Sequence, residues 1–433
     1  MESTMLEKRL TTTFISTVKI HIVYLKSCFR TISGAFIMAI LLVLAACGNN
    51  GGGGIYEDAF AADPTPMPEV MPTPPPDYSS PGRWDDAFQE AEIVVLPASM
   101  LTGLPVEEYI RIRRPVAVVI NNIHRALPQS GIASADIIYE VLSEGDVTRL
   151  IGIFQSDIPD QIGPVRSARD YFVDFAFNHD AIFVHHGASP SGYSRIRGQG
   201  IHVMDGMALE GSVFWRDRTY PAWHHNSGTR PMEHSSYTGW ERMAQHIDSR
   251  SIREWISYEE RYGFQFGAIP ANIVGHATGN LAGGSTATAE ELSESTAEDA
   301  ASNTARRILV PFSPNYIRTF IFDEDSGLYL VENRDGAHRD ANTEAQVSVT
   351  NVLIQLTGKR VIAGDEAGRR VVDTIGSGTG FLATGGYYFP VRWTKDSHSS
   401  PMQWFFDDGS PLMLSPGRTW INVFQTTGTV TFE

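Results

Sequence analysis

The chain has 433 residues, a formal charge of −16, and cysteines only at positions 28 and 47. Residues 1–46 carry five Lys/Arg against two Asp/Glu, so the remainder of the chain is more acidic still. Such a body is a poor partner for nucleic acid, and with no disulfide open to it outside the cytoplasm its stability rests on its core.

Lys26 and Arg30 precede an apolar run over 35–44, which leads into Leu44-Ala45-Ala46-Cys47-Gly48. A charged region, a hydrophobic region and a small-residue cleavage site make up a secretory signal, here residues 1–46. The ending resembles a bacterial lipobox, which implies cleavage before Cys47 and lipid attachment to it. Two acyl chains on one residue anchor stably where one binds only marginally. The other reading, an uncleaved membrane helix, needs about 18–20 apolar residues, more than this run supplies. The expected location is therefore the outer face of the bacterial cytoplasmic membrane, with the lipid on Cys47 as the link. Residues 47–84 read as a tether. The Gly/Asn run at 48–54 is flexible, and the prolines between Pro64 and Pro76 favour an extended polyproline path with no core to bury.

Residues 85–270 predict an α/β domain with a mixed sheet. Apolar runs at 116–120, 136–142 and 149–154 read as strands, the last two joined through Ser143-Glu144-Gly145-Asp146 as a hairpin. Ser167 is placed to cap a helix running to about Asn178, and 181–184 forms a buried strand ending at His185-His186-Gly187. A helical pattern follows over 237–250. Residues 271–306, rich in Gly, Ala, Ser, Thr and Glu, read as a linker. From 307 to 433 the pattern is mainly β, with strands at 308–311, 316–322, 328–331, 347–356 and 387–393, and a barrel or sandwich is expected. Gly376-Ser377-Gly378-Thr379-Gly380 reads as a turn. The whole is α+β.

Candidate site residues gather in the first domain. Arg166, Ser167 and Arg169 surround the predicted helix start, where free N–H groups favour anions and planar guanidinium groups match phosphate or carboxylate. The competing reading pairs these arginines with acidic neighbours such as Asp170, Asp174 or Glu140. Asn121 and His124 follow the first strand, Arg149 opens a later one, and His185 and His186 end another. Ligands of open α/β sheets bind outside strand ends, where imidazoles can move protons or donate hydrogen bonds. His225 and Asn226 lie in a loop after Tyr220-Pro221. No metal is assigned to these histidines, since HExxH and related spacings are missing. Nor is a cofactor assigned, because no P-loop or dinucleotide fingerprint occurs. Gly187-Ala188-Ser189-Pro190-Ser191 fails as a nucleophile elbow.

Several blocks in one order resemble the YerB-like bacterial lipoproteins: 114–118 with Asn121, 128–131, 135–137, Tyr139-Glu140, Glu144-Gly145, Thr148-Arg149 and 163–169 in the first half. His338 with Asp340, Asn351-Val352 and 416–421 resemble that family's second domain. The resemblance covers most of 110–433 and implies a lipobox, a two-domain body and no defined reaction. Trp223-His224-His225-Asn226 departs from the family's usual Pro-His-Asn run.

The expected function is a membrane-anchored binding module for an anionic or carbohydrate-bearing envelope ligand, phosphate included, or for a protein partner. The alternative is an envelope enzyme acting on a phosphate-containing or lipid-linked substrate, in which Arg166 and Arg169 steady charge and His185 or His186 moves a proton. No catalytic residue is singled out, and nucleic acid is not an expected partner.

Overall fold

The computed structural model describes residues 96–224, 228–256, 264–270, 285–287 and 303–433, all within one unit spanning 91–433. Cys47, His225 and Asn226 lie outside the described residues, as do the signal and tether. Among the described residues no helix is long and apolar enough to cross a membrane.

The first half supplies strands β1 (Val116–Asn121), β2 (Ile137–Leu142), β3 (Thr148–Phe154), β4 (Ile182–His185) and β5 (Val203–Asp205). Its helices are α1 (Asp170–Phe177), α2 (Pro190–Gln199) and α3 (Trp240–Ser249). The second half supplies β6 (Arg307–Ser313), β7 (Tyr316–Asp323), β8 (Leu328–Asn333), β9 (Asn351–Thr357), β10 (Gly376–Thr384), β11 (Tyr387–Lys395), β12 (Gln403–Phe406), β13 (Thr419–Gln425) and β14 (Val430–Phe432). The fold is α+β: a mixed sheet with helices in the first half, mainly antiparallel strands in the second.

Ten strands form one sheet in the order β12-β11-β10-β9-β13-β2-β3-β1-β4-β5. The join between halves is β13, parallel to both β9 and β2. A second sheet carries β8-β7-β6-β14 and short flanking strands. Continuous apolar runs such as β1 follow from this layering, because both faces are covered. Val116, Val118 and Ile120 face one core with Ile308, Phe320, Val352 and Trp420, and so pack toward the second sheet. Ala117 and Val119 face the other core, with Phe172, Phe175 and Ala176 of α1. The second half is thus a sandwich, one layer of which continues into the first half.

The β2–β3 hairpin forms as expected, closed by the Ser143 N–H on the Val147 carbonyl at 2.9 Å. Three local readings change. Ser167 does not cap α1; the N-cap position is Arg169, in extended conformation, and no side chain caps it. The helical pattern at 237–250 narrows to α3, because Ser236–Tyr237 pairs as a strand with Trp215–Arg216. The glycine-rich stretch at 376–380 is no turn but the first half of β10. A Cβ on Gly378 would lie 2.7 Å from the Trp393 ring, and one on Gly380 would lie 2.0 Å from the Ile354 carbonyl oxygen. Glycine is there for close approach rather than for turning. Within the stretch read as linker, Ser285–Ala287 pairs antiparallel with β14; backbone pairing at a sheet edge needs no large side chains.

Candidate functional site at the strand ends

Strands β1, β4 and β5 run parallel, and their C-terminal ends are Asn121, His185 and Asp205. Across these ends lies a strap, residues 162–169. The Asn121 N–H donates to the Pro164 carbonyl at 2.8 Å, and the Arg166 N–H to that of Val119 at 2.9 Å. The His186 N–H donates to the Arg166 carbonyl at 3.1 Å, and the Ala168 N–H to that of Gly187 at 2.9 Å. Backbone alone therefore fixes where the Arg166 and Arg169 side chains begin. Asn121 stands opposite Arg149 in the β1–β3 register. Both fall on the helix-facing side of the sheet, as does His185, two residues after Phe183. The strand ends and strap thus gather Asn121, Arg149, Arg166, Ser167, Arg169, His185 and His186.

His124 does not join them. It is exposed and turns to the second half, where its Nε2 lies 3.4 Å from Asp335. The chain leaves β1 after Asn121 and winds into a single 3-10 turn, His124–Ala126, which carries the imidazole away from the strand end.

The arginines are paired, but not with the acids expected. Glu144, in the β2–β3 turn, takes both Arg149 and Arg169; the Arg169 Nε donates to it at 2.9 Å. Arg149 also donates to the Ser167 carbonyl at 2.6 Å, and Arg169 to that of Ala168 at 2.7 Å. Burial works to raise the Glu144 carboxyl, yet Arg149 and Arg169 together hold it below the usual carboxylate range. Arg149 is pushed down to about 9 by burial and then by the like charge of Arg169. One carboxylate between two guanidinium groups leaves a net positive charge under the strap.

Arg166 is different. Half-buried, it donates through Nη1 to the Glu233 carbonyl at 2.8 Å, and among the described residues it forms no ion pair. Burial lowers it from its ordinary value; Glu144 and Glu233 oppose this, while Arg169 and Arg216 add to it. Arg216 pairs with Glu210 at 2.9 Å and donates to the His186 Nε2 at 3.1 Å. His186 is held neutral by burial and then by Arg216; its Nδ1 lies 2.8 Å from the Ser236 Oγ. Asn121 donates to the Nδ1 of His234 at 2.9 Å, and burial followed by the Arg166 charge depresses that imidazole too. His185 is fully buried, its Nδ1 3.0 Å from the Gly187 carbonyl and 3.6 Å from Asp205, its Nε2 without a hydrogen-bond partner.

Sequence reasoning missed Glu144, Arg216 and His234. Glu144 had a signal: an acid in a tight hairpin turn lies close to the arginine opening the returning strand. Arg216 and His234 had none, since Arg216 arrives from a separate two-stranded ribbon and His234 from the 3-10 turn, Met232–His234, that leads into its second strand.

The first half matches the family model of a protein of unknown function, DUF3048 N-terminal domain, over residues 101–253, and the second half matches the DUF3048 C-terminal domain over 308–421. YerB of Bacillus subtilis (strain 168), named as a lipoprotein, is 30% identical over 328 residues, covering 75% of this chain and 85% of that one. The crystal structure of YerB protein from Bacillus subtilis matches with a TM-score of 0.59 at 29% identity, over 75% of this chain and 96% of that one. In sequence blocks, in both domains and in fold, the chain belongs to the YerB-like family.

Proposed function

We propose that this protein is a lipid-anchored, extracytoplasmic binding module whose ligand presents phosphate or carboxylate charge to the strand ends. The supporting observation is Arg166: a guanidinium carried on a fixed backbone strap, half open, with a carbonyl rather than a carboxylate as its contact. Arg149 and Arg169 stand behind it with only Glu144 between them. A planar donor group in a positive field, next to neutral imidazoles at 186 and 234, suits a multiply bonded anion. The lipobox-like segment at Cys47 and the lipoprotein name of the Bacillus relative support the anchor. The tether then lifts the body off the bilayer, so the ligand is an envelope component rather than a cytoplasmic metabolite.

The test is titration of the detergent-solubilised full chain with inorganic pyrophosphate by calorimetry. Binding should weaken as salt rises and fall at least about tenfold in Arg166→Ala. Unchanged binding in that variant, or none in the parent, overturns the reading. Palmitate labelling that persists in Cys47→Ala would overturn the anchor.

A second reading, turnover of a phosphate-containing lipid-linked substrate, has one observation in its favour. His185 is a buried neutral imidazole oriented through Nδ1 by Gly187 and Asp205, with Nε2 unpartnered, the state a general base requires. Phosphate release from a polyprenyl pyrophosphate, lost in His185→Gln while pyrophosphate binding persists, would favour catalysis over simple binding.

A further inference from the structure

The other face of the β1 end carries a different site. Asn121 turns to the arginines, and Asn122 turns away, toward the second sheet. There its Nδ2 donates to the Thr148 Oγ1 at 2.7 Å and to Glu140 at 3.2 Å. Glu140 receives Arg318 through two bonds, at 2.7 and 3.2 Å. Arg318 donates to the His338 Nδ1 at 2.7 Å, so His338 donates from Nε2 to the Gln129 Oε1 at 2.8 Å. Gln129 in turn donates to the Asn122 Oδ1 at 2.9 Å. The ring of donors closes on itself, every member buried. A satisfied polar network of this kind is stiff.

Above this floor lie two adjoining clefts, of about 300 and 320 Å³, that share Leu127, Asn333 and Asp335. Their size falls in the range of small-molecule sites. Tyr316 lines one and Trp223 the other. Trp223 is braced edge-on by His224, whose ring stacks on Tyr220, itself beneath the Arg230 guanidinium at 4.7 Å. Between the aromatic ends the walls mix Asn315, Asn333, Arg334 and Asp335. The charges are mixed and engaged: Arg318 pairs with Glu140, Arg334 donates to the Asn315 Oδ1 at 2.9 Å, Arg339 to the Glu344 carbonyl at 2.8 Å, and Asp335 faces His124. Amides, a carboxylate and guanidinium groups together can both donate to and accept from hydroxyls, and flat aromatic rings supply apolar faces.

We propose that this double cleft binds an oligosaccharide, a run of pyranose rings with one ring against Trp223 and another toward Tyr316. A polyanion would want unengaged cations, whereas Arg318, Arg334 and Arg339 each already bond a protein oxygen and Glu140 and Asp335 add carboxylates to the walls. A purely apolar ligand would leave the amides unmatched. Two clefts in series call for a chain longer than one sugar. The site is separate from the Arg166 centre, and the proposal stands whether or not that centre binds an anion.

The experiment uses the full chain in detergent, with chitohexaose, cellohexaose and monomeric N-acetylglucosamine as probes, followed by tryptophan fluorescence and calorimetry. At least one hexaose should bind more tightly than the monomer. Trp223→Ala and Asn333→Ala should each weaken it at least about tenfold, and Arg166→Ala should leave it unchanged. Asn333 is half-buried and sits on a different element from Trp223, so its variant keeps the test valid if Trp223→Ala disturbs the fold. Failure of both hexaoses to bind at millimolar concentration overturns the proposal. So does binding that ignores both cleft variants, or that is lost in Arg166→Ala instead.

Discussion

Glu144 is the single side chain on which the arginine cluster turns. It is about a quarter exposed, whereas Arg149 and Arg169 are nearly covered. Removing the carboxylate leaves two guanidinium groups side by side with no counter-charge, and an uncompensated buried charge is costly. Glu144→Gln should therefore destabilise the fold by about 3 kcal/mol, read from the urea midpoint. It should also strengthen pyrophosphate binding in whatever fraction remains folded, because the competing anion is gone. Weakened binding would mean that Glu144 orients Arg166 rather than competes with its ligand. At this scale the sequence was informative in kind, and its one hint of a partner was the closeness of Glu144 in the turn to Arg149 on the returning strand. That Arg149, Arg166 and Arg169 lie near strand ends and a predicted helix start was legible; that the side chains of Arg149 and Arg169 share one acid was not. Which acid they meet depends on the path of the 143–147 turn.

A second residue-scale prediction concerns acid. His179 is buried, its Nε2 2.8 Å from the Tyr139 hydroxyl, and burial lowers its pKa to about 3. His338 is likewise held well below its ordinary value, by burial and then by Arg318. In the unfolded chain both titrate near 6.5. Between that pH and the folded value the unfolded state binds more protons than the native one, so stability falls as pH falls. Each such imidazole contributes a slope of up to about 1.4 kcal/mol per pH unit. His179→Gln, which keeps a partner for Tyr139, should flatten the decline between pH 6 and 4 by about that amount. An unaltered slope in denaturation series would show that this imidazole protonates in the native state.

At the scale of elements, glycine separates two roles that look alike in the sequence. In β10, Gly380 faces the Ile354 carbonyl so closely that a Cβ would sit 2.0 Å away. Gly380→Ala must push β10 off β9 and should cost about 3 kcal/mol or more. Gly198 lies exposed within α2, and a Cβ added there would meet nothing within 4 Å. Gly198→Ala should stabilise by about 0.5–1 kcal/mol, since alanine loses less backbone freedom in a helix. Thermal midpoints moving in opposite directions would bear out both. The run at 376–380 reads as a turn because composition reports backbone freedom but not the approach of another strand. The strand at 347–356 shows the same limit: Ser348–Val349 joins β8 in one sheet, while β9 from Asn351 enters the other.

For the whole molecule, the decisive contact is β13 lying parallel between β9 and β2. Period and turn signals made most strands legible, but a parallel partner hundreds of residues away leaves no local trace, so the sequence suggested two bodies joined by a linker. The halves are physically interdependent. The core between the sheets mixes Ile120, Ile138 and Leu150 with Phe320, Trp420 and Phe424. Glu140 of β2 is buried against Arg318 of β7 at 2.7 Å, and Asp340 accepts the Ala133 N–H at 2.8 Å. Without residues 303–433, β2 would become an exposed edge, its inner apolar face would meet water, and Glu140 would lose its counter-charge. Residues 96–270 and 303–433 made separately should each lack a near-ultraviolet dichroism signal and a cooperative melt. Mixed from denaturant, they should recover both, because the contacts that order each half belong to the other. A sharp melt from either piece alone would mean that the shared sheet is a docking contact between self-sufficient domains rather than a common core.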